Sequence, residues 1–185
     1  YNIQLTPPQA QAARNAFGKA VYCLLFDSVV AKVNDSIRGN ATDDMAFIGL
    51  LDVFGFEIFE VNSFEQLCIN FANEKLQQHF IATAISHVQA IYESEGLPFS
   101  RIEVVDNGPV LNLLEGKPVS LLGIPADQCL HAGSEDKDFV AALYARFAGH
   151  AAFAPPKFDA ETTFTVRHFA GDVTYLGANF IAKNK

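Results

Sequence analysis

The chain has 185 residues, 50% of them apolar and 18% charged, a balance that excludes a disordered chain and suffices for one core or for two small units sharing a long helix. The net charge of -8, with 13 scattered Lys and Arg, disfavours a nucleic-acid partner, which would need clustered cations. No basic region is followed by an apolar run and no stretch of about 18 uncharged apolar residues occurs, so neither a signal peptide nor a membrane span is expected.

Thr6-Pro7-Pro8-Gln9 reads as a helix cap with proline in the first turn, and Phe17, Val21, Leu24, Leu25, Val29, Val33 and Ile37 recur at helical spacing up to Gly39. A polar loop over 40–44 follows. Residues 45–51 form a short continuous apolar run ending at Asp52, the pattern of a strand buried on both faces. Ser63 and Gln66 have the form of a capping box, and Phe64, Leu67, Cys68, Phe71, Phe80, Ala84, Val88 and Tyr92 carry a helical stripe on to Gly96 and Pro98. Such a helix would span roughly 50 Å.

Signals are mixed from 97 to 126, with turn residues at Asn107-Gly108-Pro109 and a short apolar segment at 110–114. Residues 135–147 read as a helix with Phe139, Val140, Leu143, Tyr144 and Phe147 on its apolar side, and 151–156 as a linker. Residues 164–168 and 173–175 flank Ala170-Gly171-Asp172 and predict a β-hairpin. Cys23, Cys68 and Cys129 lack metal-ligand spacing and sit among apolar neighbours, which reads as buried thiols in a reducing compartment, the cytoplasm. The five histidines show neither metal spacing nor a nucleophile partner. The chain does not begin with Met and ends on Lys183-Asn184-Lys185, so we expect a piece of a longer protein.

An Asp held at a strand end with Gly three residues on, here Asp52-Val53-Phe54-Gly55, is used by nucleotide hydrolases beside Mg²⁺ and the terminal phosphate, because a Gly lets a bare N–H approach the anion. The pair alone is also common in ordinary turns. The context is more specific: residues 51–80, from Leu51-Asp-Val-Phe-Gly-Phe-Glu57 through Ser63-Phe-Glu-Gln-Leu-Cys-Ile-Asn70 to Asn73-Glu-Lys-Leu-Gln-Gln-His-Phe80, resemble the switch II loop and relay helix of the myosin motor head without a gap. Residues 15–27 resemble the preceding helix of the upper 50-kDa subdomain. Residues 115–118, 138–144 and 168–175 resemble successive landmarks of the lower 50-kDa subdomain, and 183–185 the stretch before its actin-facing loop 2.

The resemblance implies a mainly helical piece of an α/β, P-loop NTPase motor domain: long helices around one buried strand, with a helix-loop-helix and a small β-hairpin. The implied boundaries are 1–44 for the upper helix, 45–62 for the switch II strand and loop, 63–96 for the relay helix, and 97–185 for the relay loop and actin-facing part. The implied cofactors are ATP and Mg²⁺. Asp52 would hold the water shell of Mg²⁺, the Gly55 N–H would bind the γ-phosphate, and Glu57 would pair with an Arg of switch I outside this chain to close the site around the attacking water. Phe56 and Asn73 would pass the movement into the relay helix. Leu130, His131, Lys137 and Phe139 would face an actin filament, and light chains would bind a neck outside the chain.

Departures temper this picture. No Gly-x₄-Gly-Lys-Ser/Thr loop occurs, since Gly18-Lys19 and Gly116-Lys117 lack the flanking residues, so the chain alone is expected neither to bind ATP tightly nor to hydrolyse it. Gly123 and Pro125 fall inside the first actin-facing helix, where Pro costs about 3 kcal/mol unless the helix starts after it, so that helix is expected to be short or broken. Residues 130–133 and Ala141-Ala142 replace bulkier or charged residues usual in the family. A non-enzymatic actin-binding scaffold derived from a myosin is therefore the competing reading; an Asp-x-x-Gly GTPase is disfavoured because no Asn-Lys-x-Asp guanine-reading motif is present.

Overall fold

The computed structural model describes residues 4–40, 42, 45–46, 48–129, 135–156 and 159–184. The chain divides into two units, Tyr1–Leu51 and Asp52–Lys185. In the first, α1 spans Pro7–Arg38, capped as its sequence predicts: the Thr6 N–H donates to Gln9 Oε1 at 2.9 Å, with proline in the first turn where no N–H is needed. It stops at Gly39, whose φ of 58° suits a residue without Cβ. Within its unit nothing packs on this helix, so Phe17, Leu24 and Val29 stand exposed.

The strand expected over 45–51 is not formed among its described residues, and Ile48 and Leu50 are 96% and 94% exposed. The physical reason is that a strand exists only through ladder bonds to neighbours, and no described segment lies alongside this run. Continuous apolarity shows that the run suits a buried place; it does not supply the sheet.

The second unit opens with 52–62 in irregular conformation and continues into α2, Phe64–Phe80, whose capping box forms as predicted, the Ser63 N–H donating to Gln66 Oε1 at 3.0 Å. The helical path runs on through a π-helical segment, Ile81–Ser86, into α3, His87–Ser94. In that segment His87 N–H reaches back to Ala82 O, and just before it closes Thr83 Oγ1 donates to His79 O at 2.7 Å, drawing that carbonyl off the regular ladder. The expected single long helix is thus continuous in path but carries a widened turn.

Next come α4, Gly108–Glu115, and α5, Gly123–Cys129. Pro125 sits in the first turn of α5, where the missing N–H costs nothing, and Ser120 receives the Gly123 N–H on both its hydroxyl and its carbonyl. Helix α6 is Asp136–Phe147. The presumed linker contains a short strand, β1, Phe153–Ala154, which pairs antiparallel with β2, Thr163–His168. Strand β3, Gly171–Leu176, completes a three-stranded antiparallel sheet in the order β1-β2-β3. The hairpin is as expected, but its turn is Phe169-Ala170, because Gly171, at φ 143°, already pairs with His168. A last turn, α7, Phe180–Lys183, is held on α6 by Asp136, whose carboxylate accepts the Asn179 and Ile181 N–H groups at 2.6 and 3.2 Å.

Alternation along the hairpin puts Phe164, Val166 and His168 on one face with Val173 and Tyr175, all buried. Against them lie Phe139, Val140 and Leu143 of α6, Leu113 and Leu114 of α4, Leu121, Phe180 of α7 and Leu67 of α2. Phe164 is central, its ring 5.5–5.8 Å from those of Tyr175, Phe180 and Phe139. The thiols depart from expectation: Cys23 and Cys68 are exposed and Cys129 is half-buried, since the first two lie on helix faces that no core covers.

Two predictions follow from this packing. Phe164→Ala removes the ring that α6, α7 and β3 share and should cost about 3–5 kcal/mol, read as lost hydrogen-exchange protection in β2, β3 and α6. At the start of α2, hydrogen bonds from Lys183 and then Ser63 hold the Glu65 carboxyl down to about 2 from an ordinary 4.5. Its contribution is present above about pH 4.5 and lost as pH falls through about 2. Lys183→Met should return the Glu65 titration midpoint, followed by NMR, toward 4.5, and because the pair is exposed the stability change should be small and salt-sensitive.

Candidate functional site

One face of α2 presents Gln66, Asn70, Asn73 and Glu74, three or four residues apart, and this face binds the irregular segment that precedes the helix. Asn70 brackets the Glu57 backbone: its Oδ1 accepts the Glu57 N–H at 2.8 Å, and its Nδ2 donates to the Glu57 carbonyl at 2.8 Å. Asn73 Nδ2 donates to the Phe54 carbonyl at 3.0 Å and to Ile69 O of its own helix. Gln66 Nε2 reaches the Glu57 carboxylate at 3.3 Å. A buried Asn62 closes the segment from the other end, accepting the Phe59 N–H and donating to Phe59 O and to Thr174 O of β3.

Phe56 points into the hairpin, edge-on to His168 at 5.2 Å and to Phe169 at 5.5 Å. The segment from Phe54 to Asn62 is therefore tied to α2 by amides and to the hairpin by an aromatic contact. Asp52 and Gly55 remain exposed, and Glu57 is half-buried. A Cβ placed on Gly55 would meet nothing within 4 Å, and among the described residues its N–H makes no backbone hydrogen bond.

This donor set suits the edge of a Mg²⁺-phosphate group rather than a full metal site. Among the described residues no three His, Cys, Asp or Glu side chains converge. A surface cleft of about 600 Å³ lies elsewhere, on the open face of the sheet by Thr165, Arg167 and Thr174.

Behind the bracket lies a cluster that joins the 51–80 and 168–175 strings, a meeting not foreseen from the sequence. Glu74, 0% exposed, accepts at Oε1 from the Phe169 N–H at 2.9 Å and faces His168 Nδ1 at 2.9 Å; at Oε2 it accepts from Asn107 Nδ2 at 2.6 Å. His168 Nε2 lies 2.8 Å from the Tyr175 hydroxyl, which receives Asn70 Nδ2 at 2.9 Å. Burial pushes the Tyr175 phenol far above its ordinary range, so it remains a neutral O–H. The only available signal was a Glu and two Asn recurring on a helix face otherwise rich in Phe and Leu.

Of the residues expected to face actin, Leu130 and His131 lie outside the described residues. Lys137 is exposed at the start of α6 and paired with Glu135 at 2.8 Å. Phe139 corrects the expectation: at 0% exposure it stacks on Phe180 with ring centroids 5.1 Å apart, and so supports α6 from within instead of offering a side chain to a partner.

The profile of the family described as Myosin head (motor domain) matches residues 1–185. "Myosin-7" and "Myosin-5" of Arabidopsis thaliana are each 44% identical to the chain over 181 residues, 98% of it but 10% and 12% of their own lengths. "Protein OPAQUE1" of Zea mays is 44% identical over 176 residues, 95% of the chain and 11% of that protein. The chain thus spans about a tenth of the curated relatives it matches. With the family profile covering every residue, the chain belongs to the myosin head (motor domain) family.

Proposed function

We propose that this chain supplies the phosphate-sensing loop, the relay helix and much of the actin-facing part of an ATP-driven, actin-based motor of the P-loop NTPase kind, working in the cytoplasm on the actin cytoskeleton. The observation that carries this is the two-point hold of Asn70 on Glu57, with Asn73 on Phe54, which makes any displacement of the 54–57 segment a displacement of α2. On this reading, 52–57 is switch II and the helix from Phe64 onward is the relay helix. The boundaries at 44/45, 62/63 and 96/97 mark its passage from upper to lower subdomain.

Bound MgATP supplies the phosphoanhydride to be cleaved and the cation that neutralises it. Asp52 would orient the water shell of the cation, and the exposed Gly55 N–H would be the donor for a terminal phosphate oxygen. Glu57, its backbone immobilised, presents its carboxylate to a switch I arginine from outside the chain and so helps to position the attacking water. Phe56 conveys the resulting movement to the hairpin through His168 and Phe169. An actin filament would meet the region of Leu130, His131 and Lys137, and light chains would bind a neck outside this chain.

In the full-length protein that carries this chain, Glu57→Ala should slow single-turnover hydrolysis on the order of 10²–10³-fold while the rate of ATP binding is retained. An unchanged turnover would remove the role given to Glu57. Co-sedimentation of that protein with filamentous actin should show binding that MgATP releases. Binding indifferent to MgATP would instead favour the non-enzymatic scaffold.

A further inference from the structure

A carboxylate with no exposed surface, and among the described residues no ion pair to Lys or Arg, is costly to bury, and a well-packed apolar residue would serve stability at least as well. The position of Glu74 gives it a different use. As a carboxylate Glu74 only accepts, and opposite it the tautomer of His168 that fits turns an Nδ1–H toward it. In the neutral ring that leaves Nε2 as an acceptor, which takes the Tyr175 O–H. The phenol oxygen in turn accepts from Asn70 Nδ2, so the amide oxygen of Asn70 is the atom left to receive the Glu57 N–H. Each bond dictates the direction of the next, and every polar atom along the line has its partner.

We propose that Glu74, His168 and Tyr175 are positioning residues for Glu57: a directional hydrogen-bond chain that begins at a buried carboxylate and fixes which way the Asn70 amide holds the Glu57 backbone. The chain crosses from α2 to β2 and β3 and back to α2, so the hairpin and the relay helix jointly set the pose of the loop. None of the three touches the reacting atoms. This proposal rests on the role given to Glu57 above.

The test uses the full-length protein carrying this chain, with ATP binding followed by a fluorescent nucleotide and the hydrolysis step by rapid quench. Tyr175→Phe, which removes one hydroxyl and keeps the ring, should slow hydrolysis about 3- to 30-fold, the range set by one buried hydrogen bond, with the binding rate unchanged. Glu74→Gln, equal in shape but able to donate, should produce the same split between binding and hydrolysis even if Tyr175→Phe folds poorly. In a Glu57→Ala background, Tyr175→Phe should add no further slowing, because it acts through Glu57. Unchanged hydrolysis in both single variants, or a full additional loss in the Glu57→Ala background, would overturn the proposal. If Glu57→Ala alone leaves hydrolysis untouched, the reading of Glu57 fails first and the positioning chain falls with it.

Discussion

Glu74 has no exposed surface, so its two oxygens must be satisfied by the protein, and doing so brings three parts of the chain together. The Phe169 N–H and His168 come from the hairpin, Asn107 from the entrance to α4, and the carboxylate itself from the middle of α2. The Asn107 amide also donates to the Glu74 carbonyl, tying α4 to the same helical turn. Apolar contacts around them can slide at little cost, whereas a buried charge deprived of one donor loses several kcal/mol of compensation. The register of α2 against the hairpin is therefore set by polar bonds, and the aromatic core fills in around that register.

The core explains why the hairpin can serve as a fixed reference. Phe164, Val166, Val173 and Tyr175 are held between α6, α4 and α7, and Tyr175 has its ring stacked on Phe164 while its hydroxyl faces the polar cluster. One residue thus belongs to both systems, rigid through its ring and directional through its O–H. The parallel bridge between Asn62 and Tyr175, with the Leu176 N–H donating to Asn62 O, brings the end of the 52–62 segment onto the same strand. A loop without regular structure acquires a defined path because both of its ends are bonded to the scaffold.

The arrangement leaves compliance in a particular place. Beyond Phe80 the helix passes through the π-helical turn at Ile81–Ser86, and none of those six residues is buried, in contrast to Leu67, Asn70 and Glu74 nearer its start. The first part of the helix is bonded to the loop and the hairpin; past the π-helical turn, Gln89 of α3 holds the Ile102 backbone at both its N–H and its carbonyl.

Local chemistry was legible in the residues themselves. The capping boxes at Thr6 and Ser63, the stop at Gly39 and the alternation along the hairpin are decided within three or four positions of chain, by backbone groups seeking nearby partners. The string from Leu51 to Phe80 was equally direct, since it carries the family resemblance that the profile match supports. Contacts between residues distant in sequence were not. Residues 45–51 have the composition of a buried strand yet make none among the described residues, because ladder partners are not a property of the run. Phe139 reads equally well as a core or a contact residue, and only its stacking on Phe180 places it inside. His168 showed no metal spacing or nucleophile partner, but the hairpin brings it against a glutamate 94 positions earlier, and this meeting turns a surface-like motif into a buried, directional chain. The sequence by itself determined the helix caps and the hairpin's alternation, which depend on neighbours along the chain; the tertiary structure decided which strands formed and which polar groups had to satisfy one another, because burial, not spacing, removes water as an alternative partner.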